Sequence, residues 1–146
     1  MSNVKRFLAY AKAFEQTYVD DDWSRLEPFF TEDATYRVSG LPRQYELHGR
    51  DNILRGMRKS LDGFDRKMAD REIVSTAPAT EVDGRVTFEG FVRYQRADSP
   101  PVELRATLVA EFDGDRICNM HDTFMIDAAG LQWLARHARD LDGSYT

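Results

Sequence analysis

The sequence predicts an α+β domain in which N-terminal helices cover one face of a curved antiparallel sheet. Three observations predict it. Apolar side chains recur at helical spacing over residues 3 to 20, three runs between residues 85 and 126 alternate apolar and polar positions, and Asp83-Gly84 and Asp113-Gly114-Asp115 punctuate those runs as hairpin turns. The 146 residues suffice for one domain with a substantial core and are too few for two, so a single domain over 1–146 is expected.

In chain order, Phe7, Ala11, Phe14 and Tyr18 share one stripe of a first helix capped by Ser2. The run Asp20-Asp21-Asp22 ends it, reads as a solvated turn rather than a metal site, and offers Asp22 as cap of a short helix with Trp23 and Leu26 inward and Pro28 limiting its length. A strand follows at Ala34–Val38, with Tyr36 and Val38 on one face, and a short strand at Tyr45–His48. Asp51 is the expected cap of a helix carrying Ile53, Met57, Leu61 and Phe64, with Gly63 as its stop and Arg55, Arg58, Lys59, Arg66 and Lys67 on or near its outer side. Residues 68 to 126 read as sheet. Val86, Phe88, Gly90, Val92 and Tyr94 form the apolar face of one strand, and Val102, Leu104, Ala106, Leu108, Ala110 and Phe112 that of the next. Asp127 caps a last helix with Leu131, Leu134, Ala138 and Leu141 as its stripe and Gly143 as its end.

Composition excludes several classes. Apolar residues at 42% and charged residues at 31% describe an ordinary globular protein, and the net charge of −5 argues against nucleic acid or an anionic membrane surface as partner. No apolar run has the length of a membrane-spanning helix, and the first residues lack the apolar core of a signal peptide. Together with a single cysteine, Cys118, this leads to a cytoplasmic expectation. No nucleophile flanked by a base, glycine-rich phosphate loop or metal-ligand cluster is legible, so no cofactor is expected.

The functional signal lies in the final strand, residues 116 to 126. Alternation places Cys118, Met120, Asp122, Phe124 and Ile126 on one face, and Ile117, Asn119, His121, Thr123 and Met125 on the other. Asp122 is the polar exception on the first face, and a carboxylate there costs several kcal/mol unless it is paired or used. Two readings stay open: a structural carboxylate held by backbone donors or by an arginine such as Arg93 or Arg105, or a pocket acid or base. Adjacency of His121 and Asp122 suggests a dyad, but alternation sends the two to opposite faces. Gly90 and Ala106 leave space for a cavity on the apolar face. Its expected lining is Phe14, Tyr18, Val38, Phe88, Gly90, Val92, Leu104, Ala106, Leu108, Met120 and Phe124, with Asp122 and Tyr36 as candidate catalytic residues.

The stretch Phe30-Thr31-Glu32-Asp33-Ala34-Thr35-Tyr36 after a short helix, Gly49-Arg50-Asp51 opening a third helix, and Asp122 late in the last strand resemble the nuclear transport factor 2-like superfamily, in particular its SnoaL-like polyketide cyclase branch. The resemblance runs roughly from Val4 to Ile126 and implies a cone-shaped α+β fold. That fold hosts isomerases, dehydratases, cyclases, epoxide hydrolases and binding modules, so it does not by itself name a reaction. Ketosteroid isomerases would need an aspartate near Val38, a tyrosine near Phe14 and an acid near Leu108, all absent. Limonene-type epoxide hydrolases match Tyr36 and Asp122, yet their Arg-x-Asp pair falls on Gly90 and Val92 and their asparagine on Val38. Scytalone dehydratases need interior histidines, whereas this chain has only His48, His121 and His137. SnoaL-like cyclases centre on a last-strand aspartate, which Asp122 matches, while the histidine they add has no counterpart. The resemblance therefore implies a cofactor-independent enzyme moving a proton on a carbonyl or polyketide-like apolar compound. The rivals are a ligand-binding module without chemistry and a protein-interaction dimer. The superfamily often dimerises through the sheet, and Phe91, Val109, Ile117 and Met125 on the polar face lead to the expectation of a homodimer.

Overall fold

Helix α1 (Asn3–Asp20) leads through a 3-10 turn at Trp23–Phe29 into strand β1 (Phe30–Ser39) and the short β2 (Tyr45–His48). Helix α2 (Arg50–Gly63) and a 3-10 turn at Asp65–Lys67 precede β3 (Asp70–Ser75), β4 (Thr80–Val82), β5 (Arg85–Gln95), β6 (Val102–Asp113), β7 (Arg116–Met125) and helix α3 (Ala128–His137). This computed structural model describes residues 2–146. The seven strands form one curved, unclosed sheet in the order β2-β1-β7-β6-β5-β3, with β4 pairing β5. The last strand thus sits inside the sheet. All pairings are antiparallel except β1 with β7, which run parallel. The meander β5–β6–β7 brings β7 beside the first strand after a long excursion, and such a crossover has no need to reverse direction. Asp83 (φ 53°) and Gly84 (φ 79°) form the two-residue turn between β4 and β5, where both positions must be left-handed.

The outer helices follow their caps with local differences. Ser2 accepts a hydrogen bond from Lys5 N at the start of α1. Its buried residues are Phe7, Tyr10, Ala13 and Thr17, not the stripe Phe7, Ala11, Phe14 and Tyr18. Phe7 and Tyr10 are buried and also line the cavity together with Ala11 and Phe14, so the buried side and the cavity side of the helix overlap. Asp22 stands at the N-cap of the 3-10 turn without capping the backbone; it accepts from Ser24 Oγ at 2.5 Å. Gly49 (φ 88°), rather than Asp51, is the N-cap of α2, because the chain leaves β2 through a left-handed turn that favours glycine. Arg58 and Arg66 pair with Asp21 at 2.9 and 3.1 Å, so part of the basic face ties α2 to the acidic turn. Helix α3 ends at His137, and it buries Trp133 while Leu131 is 54% exposed. Trp133 takes the inward position because its Nε1 donates to the Pro100 carbonyl at 2.7 Å.

One register correction affects β7. Phe112 pairs with Ile117 and Glu111 with Asn119, which leaves Cys118 as an extra residue. That bulge resets the alternation, so Ile117 is fully buried in the core and does not belong to the polar face. From Asn119 onward the predicted alternation holds, and Ala110, Leu108 and Ala106 of β6 face Met120, Asp122 and Phe124. The apolar interior divides in two. One cluster gathers Phe7, Tyr10, Leu26, Phe30, Ile53 and Met120; the other gathers Tyr94, Val102, Leu104, Trp133 and Ala138. Among the described residues, no helix is long and apolar enough to cross a membrane.

Candidate functional site

A cavity of about 900 Å³ is lined by residues of both apolar clusters, among them Phe7, Met57 and Phe124 from the first and Tyr94, Leu104 and Ala138 from the second. Lys12, Glu72, Ile73 and Ser75 line it and are exposed, which marks where it reaches the surface between α1 and β3. Asp122 lines its wall. The Tyr36 hydroxyl donates to Asp122 Oδ2 at 2.5 Å. The other oxygen, Oδ1, is enclosed and has no hydrogen-bond partner among the described residues. Burial raises the Asp122 carboxyl to about 7, against the smaller lowering effect of the Tyr36 hydrogen bond. The carboxyl therefore exchanges its proton in the range where acid-base catalysis works best. Neither Arg93 nor Arg105 holds it: Arg93 pairs with Glu103 at 3.0 Å, and Arg105 is exposed.

The remaining expected lining residues divide clearly. Phe14, Phe88, Gly90, Val92, Leu104, Ala106, Leu108 and Phe124 line the cavity together with Tyr36 and Asp122. Tyr18, Val38 and Met120 do not. Val38 and Met120 are sealed in the core at 0% and 1% exposure, on strands where neighbours close over them. Tyr18 sits at the edge, donating to the Asp65 carbonyl at 3.2 Å beneath the Arg71 guanidinium, whose carbon lies 4.3 Å from the ring centroid. Gly90 borders the cavity, but the close neighbour that a side chain there would strike is the Val74 carbonyl oxygen, 2.3 Å from where a Cβ would stand. His121 points to the other face, its Nε2 2.8 Å from Ser39 Oγ, so no His-Asp dyad forms. Cys118, displaced by the bulge, is half-buried and contacts the Glu111 carbonyl at 3.5 Å. Among the described residues, no group of three His, Cys, Asp or Glu side chains is arranged to hold a metal ion.

Two features escaped the sequence. Tyr10 and Tyr145 both line the cavity, and for each the charge of Asp122 helps raise the phenol above its ordinary value, after burial as the larger cause. Together with Tyr36 they surround the carboxyl with phenols. Helical spacing does hint at Tyr10, three residues after Phe7, whereas nothing local in the sequence directs Tyr145 inward. The second feature is an ion-paired cluster elsewhere on the wall. Arg71 Nε donates to Asp65 Oδ2 at 2.7 Å and its Nη1 to Glu15 Oε1 at 2.8 Å, while the Tyr94 hydroxyl donates to Asp65 at 2.9 Å. Burial raises Asp65 above the ordinary carboxylate range against the pull of Arg71. The cation is thus satisfied by its own neighbours, and Asp122 is left as a carboxyl of the cavity wall with an enclosed oxygen and no paired cation among the described residues.

Comparison with known proteins bears on the same region. A family model described as the SnoaL-like domain matches residues 8–120, more than three quarters of the chain. The chain belongs to the SnoaL-like domain family. The match stops two residues short of Asp122. Solved structures of low sequence identity share the fold. A putative SnoaL-like polyketide cyclase from Shewanella denitrificans OS-217 aligns with a TM-score of 0.59 at 11% identity, covering 86% of this chain and 93% of that one. An NTF2-like protein from Anabaena variabilis ATCC 29413 aligns at 0.66 and 19% identity, covering 86% and 90%. TerC, co-crystallised with polyporic acid, aligns at 0.65 and 14% identity, covering 90% and 96%. Comparison with curated proteins finds no match.

Proposed function

We propose that this SnoaL-like protein is a cofactor-independent enzyme that transfers a proton on a mostly apolar carbonyl compound, with Asp122 as acid and base. The observation that carries this reading is a carboxyl without a paired cation, raised to about 7, on the wall of a largely apolar cavity. In the step envisaged, the bond between carbon and hydrogen beside the carbonyl breaks. The proton passes to the Asp122 carboxylate, and the electron pair moves onto the carbonyl oxygen as an enolate. Asp122 then returns the proton to another carbon, giving an isomer. In a cyclisation, the enolate carbon attacks a second carbonyl of the same molecule and the resulting alkoxide takes the proton. The Tyr36 hydroxyl orients the carboxyl and offsets part of its ionisation cost. Co-crystallisation of TerC with polyporic acid supports a small organic molecule as the occupant of this kind of fold.

The test is a thermal-shift survey of enolisable aromatic ketones, followed by exchange of their α-protons in deuterium oxide by NMR. Wild-type protein should accelerate exchange for the compounds it binds, and Asp122→Asn should bind them without exchange. A second reading, a binding module without chemistry, is favoured by a cavity wall that holds no histidine among the described residues. Binding with no exchange above buffer for every ligand would select it.

A further inference from the structure

Residues 138–146 fold back along α2. Gly56 and Gly63 stand seven residues apart, on one face of that helix. A Cβ at Gly63 would lie 1.8 Å from the Asp142 carbonyl oxygen, and one at Gly56 would lie 2.8 Å from the Tyr145 carbonyl oxygen. Between them the Ser60 hydroxyl donates to the Gly143 carbonyl at 2.7 Å, and Asp142 N donates to the Gly63 carbonyl at 3.2 Å. Two missing side chains and two hydrogen bonds therefore make a seat for this segment. The seat delivers the Tyr145 ring to the cavity wall, 5.9 Å from the Tyr36 ring at 71° and 5.3 Å from the Tyr45 ring at 52°.

The Tyr36 hydroxyl is committed to Asp122. The Tyr145 hydroxyl lies beside the hydroxyls of Ser60 and Tyr36, whose own protons go to the Gly143 carbonyl and to Asp122, and it is not one of the enclosed, unpartnered polar atoms. It is a donor on the cavity wall, held by its ring contacts and by the seated backbone. An enolate forming beside Asp122 needs such a donor at its oxygen, and a donor fixed in advance costs no reorganisation as charge develops.

We propose that Tyr145 donates the hydrogen bond that holds the substrate's carbonyl oxygen, so that seating of residues 138–146 on α2 completes the site. This rests on the proton-transfer reading above. It restricts the substrate class to ketones whose oxygen lies on the α2 side of the cavity while the acidic carbon faces Asp122. During the step, Tyr145 keeps its proton and shares it with the enolate oxygen, and Asp122 holds the proton taken from carbon.

The experiment compares 2-tetralone with tetralin, the same bicycle without the oxygen, by NMR titration of wild type, Tyr145→Phe and Asp122→Asn. Wild type should prefer the ketone, Tyr145→Phe should lose about fivefold in ketone affinity with tetralin unchanged, and Asp122→Asn should keep the preference. A Tyr145→Phe protein that keeps the full preference overturns the assignment and leaves the reading of Asp122 standing. Equal weakening of both ligands marks lost packing and also overturns it. Failure of wild type to bind either compound removes the small-molecule reading and this inference with it. The amide resonances of Gly143 and Ser144 report in the same samples whether the segment stays seated.

Discussion

Replacing Asp122 by asparagine should change how stability depends on pH, and the size of that change follows from the site. The folded carboxyl titrates near 7, against 3.8 for an ordinary aspartate. Because the folded value is raised, the folded state binds the extra proton. Stability from this group is complete below pH 3.8 and is lost as pH rises from there to about 7. Linkage gives a loss of about 2 kcal/mol by pH 5 and about 4 kcal/mol by pH 8, a difference of roughly 2–3 kcal/mol across that interval. Asparagine has no charge to lose, so the variant should lack that slope. Its own cost is an amide N–H without an assured partner, about 1–3 kcal/mol at either pH. Asp122→Asn should therefore be close to wild type or slightly less stable at pH 5, and equal or more stable at pH 8. In melting temperature, the gap between the two proteins should move by about 8 °C in the variant's favour from pH 5 to pH 8. Denaturant melts at both pH values measure this directly, and groups common to both proteins cancel in the comparison. Parallel pH profiles, or a variant that loses most at pH 8, would mean an ionised structural carboxylate and would refute the reasoning.

Other substitutions probe the rest of the site. Tyr36→Phe removes the hydrogen bond that lowers the Asp122 carboxyl, so the pH profile of ketone α-proton exchange should shift upward by about one unit; an unmoved profile would show that the bond contributes nothing in solution. Arg71→Met leaves Asp65 and Glu15 without their cation and should cost about 3 kcal/mol at pH 7 and less at pH 4, where the raised Asp65 carboxyl takes up a proton; denaturant melts at the two pH values check this. Gly63→Ala drives a methyl group into the Asp142 carbonyl, so trypsin should cut faster after Arg139, read by mass spectrometry. Val109 and Met125 remain on the outer face of the sheet, while Phe91 also borders the cavity, and we propose that this face pairs two copies; sedimentation equilibrium should give twice the chain mass at micromolar concentration, and a monomer would end that proposal.

Much of the fold was legible because strand alternation is a local property. The runs in β5 and β6 and the turn at Asp83-Gly84 declare themselves within a few residues. Asp122 stood out as a polar group among apolar neighbours of the same parity, and Tyr36 through the resemblance to epoxide hydrolases. Parity failed where the chain inserts a residue: Cys118 bulges out, and Ile117 turns to the core. Long-range choices were not written locally. Nothing within β1 specifies that it runs parallel to β7, and helical periodicity in α1 does not decide that Tyr10, Ala13 and Thr17, rather than Ala11, Phe14 and Tyr18, are its buried positions beside Phe7. Tyr145 was invisible for a related reason. Its place depends on Gly56 and Gly63, more than eighty residues earlier, whose absent side chains acquire meaning only with the later segment laid over them.

The account depends most on the state of one carboxyl. Its titration is directly observable as the side-chain carbon resonance of Asp122 in protein labelled with carbon-13 aspartate, assigned by its disappearance in Asp122→Asn. The account predicts a midpoint near 7, moving upward in Tyr36→Phe. A midpoint at or below 4, as for an exposed or ion-paired aspartate, would contradict it.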